Sequence, residues 1–226
     1  MRQVTGGSRV RWSWAILVVA VLVGLGFWAA RGVWKSHARE HLADELVKQA
    51  RFGNVEGVRK ALDAGADPDT IVPGGDLVFG SPRRTVLHEA AMSGHEGHCE
   101  IVKLLLDHGS NANARDRSDN TPLHCLLWQS QLPHQIETAE ALLAHGADPN
   151  AANNEGETPL HRAAREFYYR DVNFELAAML LARGADINAR DERGRTPLDM
   201  TEWYEPGVKF CREHGGMAGT GLRARP

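Results

Sequence analysis

Thr158-Pro159-Leu160-His161-Arg162-Ala163-Ala164 is a phrase this chain writes more than once. It recurs as Thr85-Val86-Leu87-His88-Glu89-Ala90-Ala91 and as Thr121-Pro122-Leu123-His124, with an altered last copy at Thr196-Pro197-Leu198-Asp199. Each copy reads as a helix start: threonine can cap the first free backbone donors, and proline suits the first turn, where no N–H is needed. A second phrase follows each of the first three boxes: Leu104-Leu105-Leu106 to Gly109-Ser110-Asn111, Leu142-Leu143 to Gly146-Ala147-Asp148, and Leu180-Leu181 to Gly184-Ala185-Asp186. From that glycine to the next threonine the count is constant, since 109 to 121, 146 to 158 and 184 to 196 are each 12. A helix start, a leucine-rich second helix, a glycine stop and a fixed connector make one copied unit, so the chain is an array.

These boxes resemble the ankyrin repeat, whose signature is T-P-L-H-x-A in a unit of about 33 residues. The resemblance covers about residue 44 to about 215. It implies an all-α repeat solenoid in which each unit is a β-turn or hairpin finger followed by two antiparallel helices. The threonine spacings here, 85 to 121, 121 to 158 and 158 to 196, are 36, 37 and 38, longer than that period. Because the connector is constant, the extra length falls at the turn between the two helices of each unit: 94–100, 129–136 and 166–173. Insertions there lie on the surface and leave the stacked core intact.

With 226 residues and 42% hydrophobic content, the chain can build one domain with a real core and carry an appendage. Its net charge is −3; without Arg2, Arg9 and Arg11 it holds 23 basic against 29 acidic residues, or −6. A mildly acidic solenoid is a poor polyanion binder, which argues against nucleic acid. Cys99, Cys125 and Cys211 are too few and too scattered for a disulfide framework. Cys125 follows a box on the first helix, where a small buried apolar residue is expected.

Ahead of the array, Trp12 to Ala30 carries no charge over 19 residues. As a helix it would span about 28 Å, close to the thickness of a bilayer's hydrocarbon core. Trp12, Trp14, Trp28 and Trp34 stand at its two ends, where indoles favour the lipid–water interface. The rival is a cleaved signal peptide, but Phe27 and Trp28 are bulky where a cleavage box wants small residues. The reading is therefore one transmembrane helix (12–30) between a short basic tail (1–11) and a juxtamembrane spacer (31–43). Arg2, Arg9 and Arg11 face Arg31, Lys35, Arg39 and Lys48 across it, so the positive-inside count is nearly a tie. A lone N-terminal anchor more often exports the folded domain, which puts the array on the periplasmic side of a bacterial inner membrane.

The array divides into an N-terminal capping repeat (44–84), repeats 85–120, 121–157 and 158–195, and a C-terminal cap (196–215), with 216–226 expected as a disordered tail. From Gly65 to Thr85 the connector is 20, eight longer than elsewhere. The insertion at 70–82 mixes turn residues with apolar ones and reads as an extended finger or hairpin, with a floppy loop as the alternative.

Eleven histidines invite a search for chemistry. His88, His124 and His161 belong to the repeated box, and recurrence argues for structure, because a catalytic residue is needed once. His108 and His145 precede glycine stops, where an imidazole can meet helix C-terminal carbonyls. The exception is His95-Glu96-Gly97-His98-Cys99, in an inserted turn: His95, His98 and Cys99 are three ligand-type side chains without a fourth, a weak metal candidate. No H-E-x-x-H box, G-x-S-x-G elbow or P-loop is present. No enzyme activity and no cofactor are expected.

What remains is binding. The ankyrin resemblance implies a concave face built from finger tips and first helices, where such proteins dock partner proteins. Carrying its variable positions across by distance from each threonine selects Arg117, Ser118 and Asn120; Asn154, Glu155 and Glu157; and Glu192, Arg193 and Arg195 on the fingers. On the helices it selects Met92, Ser93, Trp128, Gln129, Arg165, Glu166, Trp203 and Tyr204, with Tyr168 and Tyr169 nearby. Aromatic residues and arginine are the usual energetic anchors of interfaces; each ring could instead pack on its own helix turn. The expected function is a membrane-tethered module that holds an unnamed protein partner on this face. The alternatives are an inhibitor or immunity-type protein that blocks a toxin or enzyme, and a metal- or redox-linked accessory of an oxidative-stress enzyme.

Overall fold

The computed structural model describes residues 39–72, 83–93, 97–128, 134–167, 172–201 and 204–219. The chain divides into two units, Met1–Leu42 and Ala43–Pro226. The described part of the first, 39–42, is helical, and the architecture below is that of the second. Among the described residues no helix is long and apolar enough to cross a membrane. The expected anchor at 12–30 lies outside them.

Ten helices are described. Helix α1 ends at residue 51 and is followed by α2 (Val55–Asp63), α3 (Val86–Met92), α4 (His98–Asp107), α5 (Pro122–Leu126) and α6 (Gln135–Ala144). Then come α7 (Pro159–Arg165), α8 (Val172–Ala182), α9 (Pro197–Met200) and α10 (Glu205–Glu213). The boxes do start helices: Thr85, Thr121, Thr158 and Thr196 are the extended residues just before α3, α5, α7 and α9. Those helices are only four to seven residues long, too short to be stable alone in water. Stacking supplies what propensity cannot. The first helices pack on one another as α3·α5, α5·α7 and α7·α9, and the second helices as α2·α4, α4·α6 and α6·α8, which makes two layers. Leu87, Ile101, Leu105, Leu123, Leu142, Leu160 and Leu180 are buried between those layers, each contributing about 2 kcal/mol by its removal from water. Among the described residues there is no strand, and the extra length of each unit does fall between its first and second helix.

The glycine stops are set by backbone alone. Gly109, Gly146 and Gly184 have φ of 86°, 83° and 89°, a left-handed region that costs other L-residues about 1–2 kcal/mol. No atom lies within 4 Å of where their Cβ would stand, so conformation, not space, demands glycine. Two residues past each stop motif an asparagine ties one repeat to the next. Asn113 donates through Nδ2 to the Gly146 carbonyl at 2.7 Å and accepts the Asp148 N–H at 2.7 Å. Asn150 does the same to Gly184 and Asp186, at 2.8 and 2.7 Å.

The box histidines make the matching connection on the inner side. His88, His124 and His161 each accept the N–H of their own threonine at Nδ1, all at 3.2 Å, the part glutamate plays in a capping box. Each Nε2 meets a carbonyl of the following finger: Asn120 at 3.1 Å, Glu157 at 3.0 Å and Arg195 at 3.1 Å. A backbone N–H can only donate and a carbonyl can only accept. The ring must therefore be neutral, bare at Nδ1 and protonated at Nε2. Burial lowers the pKa of all three, that of His124 to about 4.

Asp199 replaces this histidine in the last box and inverts its outward partner. Its Oδ2 accepts the Thr196 N–H at 2.8 Å, as a histidine Nδ1 would, but also accepts the Gly219 N–H at 2.7 Å. Asn188 in turn donates to the Gly215 carbonyl at 3.2 Å and accepts the Met217 N–H at 2.7 Å. The tail thus takes the place of a further finger. This corrects the expectation of disorder from 216 onward: residues 216–219 are held by the last repeat, while 220–226 lie outside the described residues. At the other end, Ile71 and Thr85 form an antiparallel bridge, flanked by Val72 N–H to the Arg84 carbonyl at 2.8 Å and Val86 N–H to Thr70 at 2.9 Å. The base of the expected hairpin is therefore paired; its remainder, 73–82, lies outside the described residues.

Candidate protein-interaction face

The fingers present their side chains in a common frame, counted from each threonine. Five residues before it, Asp116, Asn153 and Asp191 hold the turn. Asp116 Oδ1 accepts the N–H groups of Ser118 and Asn120 at 2.8 and 2.9 Å. Asn153 Oδ1 accepts those of Glu155 and Glu157 at 2.9 and 3.0 Å. Asp191 Oδ1 accepts those of Arg193 and Arg195 at 2.9 and 2.8 Å. Neighbouring tips then join, with Asn154 N–H donating to Ser118 and Glu192 N–H to Glu155, both at 3.0 Å. This places Arg117, Ser118, Asn154, Glu155, Glu192 and Arg193 in solvent along one edge.

The residue just before each threonine points inward, and its identity sets the chemistry of each junction. Arg84 stands 3.6 Å from Asp116 and 4.0 Å from Glu89. Asn120 is 3% exposed and accepts Asn153 Nδ2 at 3.0 Å, a neutral contact. Glu157 is fully buried and faces three guanidinium groups. Arg162 Nε lies 3.1 Å from Oε2, Arg195 lies 3.6 Å from Oε1, and Arg165 pairs with Oε1 as well. Arg195 also brings Nε and an Nη to a single Asp191 oxygen, Oδ2, each at 2.7 Å, a charge-assisted contact shared by one acceptor.

Trp128, 50% exposed, lies over this cluster with its ring centroid 4.5 Å from the Arg162 guanidinium, within cation–π range. The Arg165 side chain, 37% exposed, reaches the surface beside it and touches the Met200 sulfur at 3.7 Å. Trp128, Arg165 and the exposed finger residues reach solvent. Asn120 and Glu157 do not: both were assigned to the docking surface, and both are buried in contacts to their own and the next repeat. The position carries a polar side chain because the finger above and helix below supply polar partners, which distance from threonine alone cannot reveal. Arg162 was not singled out by the sequence; its place on the first turn of the helix that begins two residues after Glu157 was the available signal.

Gln129, Tyr168, Tyr169 and Trp203 lie outside the described residues. Phe167, adjacent to two of them, is core: it stacks on Phe174 at 4.3 Å and meets Phe210 edge-on at 5.3 Å. Tyr204 is half-buried beside the same cluster, 6.4 Å from Phe174. Phe167 and Tyr204 thus contribute to the packing of this aromatic cluster.

The metal candidate finds no support in geometry. His98 is 3% exposed, His95 lies outside the described residues, and among the described residues no three ligand-type side chains converge. Cys125 and Cys211 are buried free thiols, and burial pushes each up to about 12, far from the thiolate that redox or metal chemistry needs. A groove of about 720 Å³ opens between the base of the 70–82 insertion and the Asp116–Asp119 turn. Asp69, Arg83, Arg115, Asp116, Arg117 and Asp119 among its lining residues mix both signs of charge.

Two family models match the chain: ankyrin repeats in three copies over residues 46–153, and ankyrin repeats in many copies over residues 142–200. No match is found among curated proteins. Stacked helix pairs, histidine boxes that bridge successive fingers and these two overlapping matches agree: the chain belongs to the ankyrin-repeat family.

Proposed function

We propose that this protein is a membrane-tethered interaction module. Residues 12–30 anchor it, 31–43 act as a spacer, and the array from 44 to 215 holds a partner protein on the face formed by the finger tips and first helices. Ankyrin repeats are protein-interaction modules without catalytic function as a rule, and no feature of the face suggests bond-making chemistry. The observation that carries the reading is the exposed indole of Trp128 stacked on Arg162 next to the half-exposed Arg165. A large apolar ring left in water beside arginine is the composition of an interface anchor. Tethering supports function without tight intrinsic affinity, because confinement at one membrane raises the effective concentration of a partner found there.

Photo-crosslinking in the full-length protein in its own membrane tests this. A crosslinking amino acid at Arg117 or Trp128 should trap one discrete partner, and the same group at Lys103 or Glu140, exposed on α4 and α6, should not. Adducts formed only from Lys103 and Glu140 would overturn the assignment of the face. A reporter fused after Pro226 is expected on the periplasmic side. Recovery of the protein in the soluble fraction would remove the tether.

A further inference from the structure

We infer that the last repeat carries a peptide site of its own, at the end of the array, which the chain's residues 215–219 fill as an exchangeable strap. Its ligand is an extended segment that presents two N–H donors two residues apart, the second on a glycine. The site is separate from the Trp128 face and goes beyond the interaction reading above.

The strap begins as the interior stops do. Gly215 takes the same left-handed turn, with φ of 83°. Asn188 reaches the Gly215 carbonyl and the Met217 N–H as Asn150 reaches Gly184 and Asp186. From there the pattern departs. In the interior boxes a histidine Nε2 donates to a finger carbonyl 32, 33 and 34 residues on. Asp199 instead accepts the N–H of Gly219, 20 residues on, at 2.7 Å, and the Thr196 hydroxyl donates to the Met217 carbonyl at 2.7 Å. An ionised carboxylate has no hydrogen to give, so a carbonyl offered by a further finger is repelled here and an N–H is taken. Glycine is required at 219, where a Cβ would collide with the Gly194 carbonyl oxygen and Asp199 Oδ2.

Only polar contacts hold the strap. Met217 is 64% exposed, Ala218 is exposed as well, and among the described residues no helix follows α10 to pack over them. Each interior finger, by contrast, leads into a first helix stacked on the one before it. The net gain of a hydrogen bond is about the size of the entropy lost in fixing one residue. Four bonds made over residues 215–219 therefore leave the strap close to balance. Lifting it strips an N–H from Asp199 and both strap partners from Asn188, polar groups that another segment of the same donor spacing can satisfy.

The test uses the full-length protein carrying Gly219→Ala, in which the strap cannot seat. It is titrated in detergent with a synthetic copy of residues 214–220 while the amide resonances of Thr196 and Asn188 are followed. Saturable shifts are expected. The unaltered protein, whose own strap fills the site, should bind the peptide about tenfold more weakly, and so should a peptide with alanine in place of its 219 glycine. Adding Asp199→His to the protein should weaken binding by a similar factor. That ring keeps the Thr196 N–H as in the other boxes, which guards against an unfolded box. Equal binding to the aspartate and histidine forms, or to the strapped and unstrapped proteins, would overturn the site. No binding at all would overturn exchange and leave residues 215–219 as a fixed end cap. None of these results bears on the Trp128 face, which the crosslinking experiment tests.

Discussion

Asn120 and Glu157 occupy the same place in successive repeats, one residue before the box threonine, under the same finger and over the same helix start. The Asn120 side chain is neutral: it accepts Asn153 Nδ2 at 3.0 Å, while the residue's N–H donates to Asp116 Oδ1 at 2.9 Å, and the cationic partner of Asp116 is Arg84. Around Glu157 the neighbours are Arg162, Arg165 and Arg195, and the junction holds a buried carboxylate with a partly exposed cationic rim. The backbone is common to both, so the difference belongs to side chains. One junction serves stacking alone. The other serves stacking around a buried carboxylate gripped by three arginines. A repeat fold acquires a site by changing a few positions in one unit while its neighbours keep the scaffold.

That contrast can be broken most severely at its charged half. Glu157→Gln removes the carboxylate and leaves three guanidinium groups crowded without an anion. Loss of one partner from a buried charge network costs about 3–5 kcal/mol, and denaturant unfolding should read near the lower end because Arg165 reaches solvent. Asn120→Ala, the neutral counterpart, should cost about 1 kcal/mol. Equal losses at the two positions would mean the charged junction is not special.

The histidine boxes, common to both halves, should answer to acid. Their folded pKa values lie below the ordinary 6.5, so both folded and unfolded chains hold them neutral above that pH and the stability is fully present there. As pH falls from 6.5 toward the folded value, the unfolded chain takes up protons that the native ring at Nδ1 cannot accept without losing its threonine N–H. Stability therefore declines. For His124, lowered to about 4, the loss over that window approaches about 3 kcal/mol. Thermal melts at pH 7.5 and 5 should show it, and a variant with His124→Gln should lose much of the slope. A slope unchanged in that variant would place the acid sensitivity elsewhere.

The end of the array offers a smaller test. Gly219→Ala sets a Cβ 2.1 Å from the Gly194 carbonyl oxygen and 2.5 Å from Asp199 Oδ2, contacts that backbone cannot relieve in place. The tail should detach, at a cost of about 1–2 kcal/mol for the lost hydrogen bonds, and amide exchange at Met217 should accelerate while that at Leu160 stays slow. Smallest of all is Asp107→Asn. The His145–Asp107 contact at 3.2 Å is largely solvent-exposed, and the change in stability should be under about 0.5 kcal/mol.

Much of this was legible in the sequence because it is local. Thr-Pro starts, leucine-rich second helices and left-handed glycine stops need only a few neighbouring residues to specify them, and their constant spacing from Gly109 to Thr121 and onward specified the array. The histidines could be assigned to structure by recurrence alone. Whether a side chain faces water or the next repeat is a different kind of question. Glu157 looks like a surface residue beside Glu155 until Arg162 and Arg165 from the following helix and Arg195 from the following finger close over it. The Gly215–Gly219 segment looks like loose tail until Asn188 and Asp199 offer it acceptors of the right sign. Both outcomes depend on groups 5 to 38 positions away in the chain, brought together only by stacking. Sequence spacing determined the units and their order; the packing of one unit on the next decided which of their polar residues are buried structure and which are left to meet a partner.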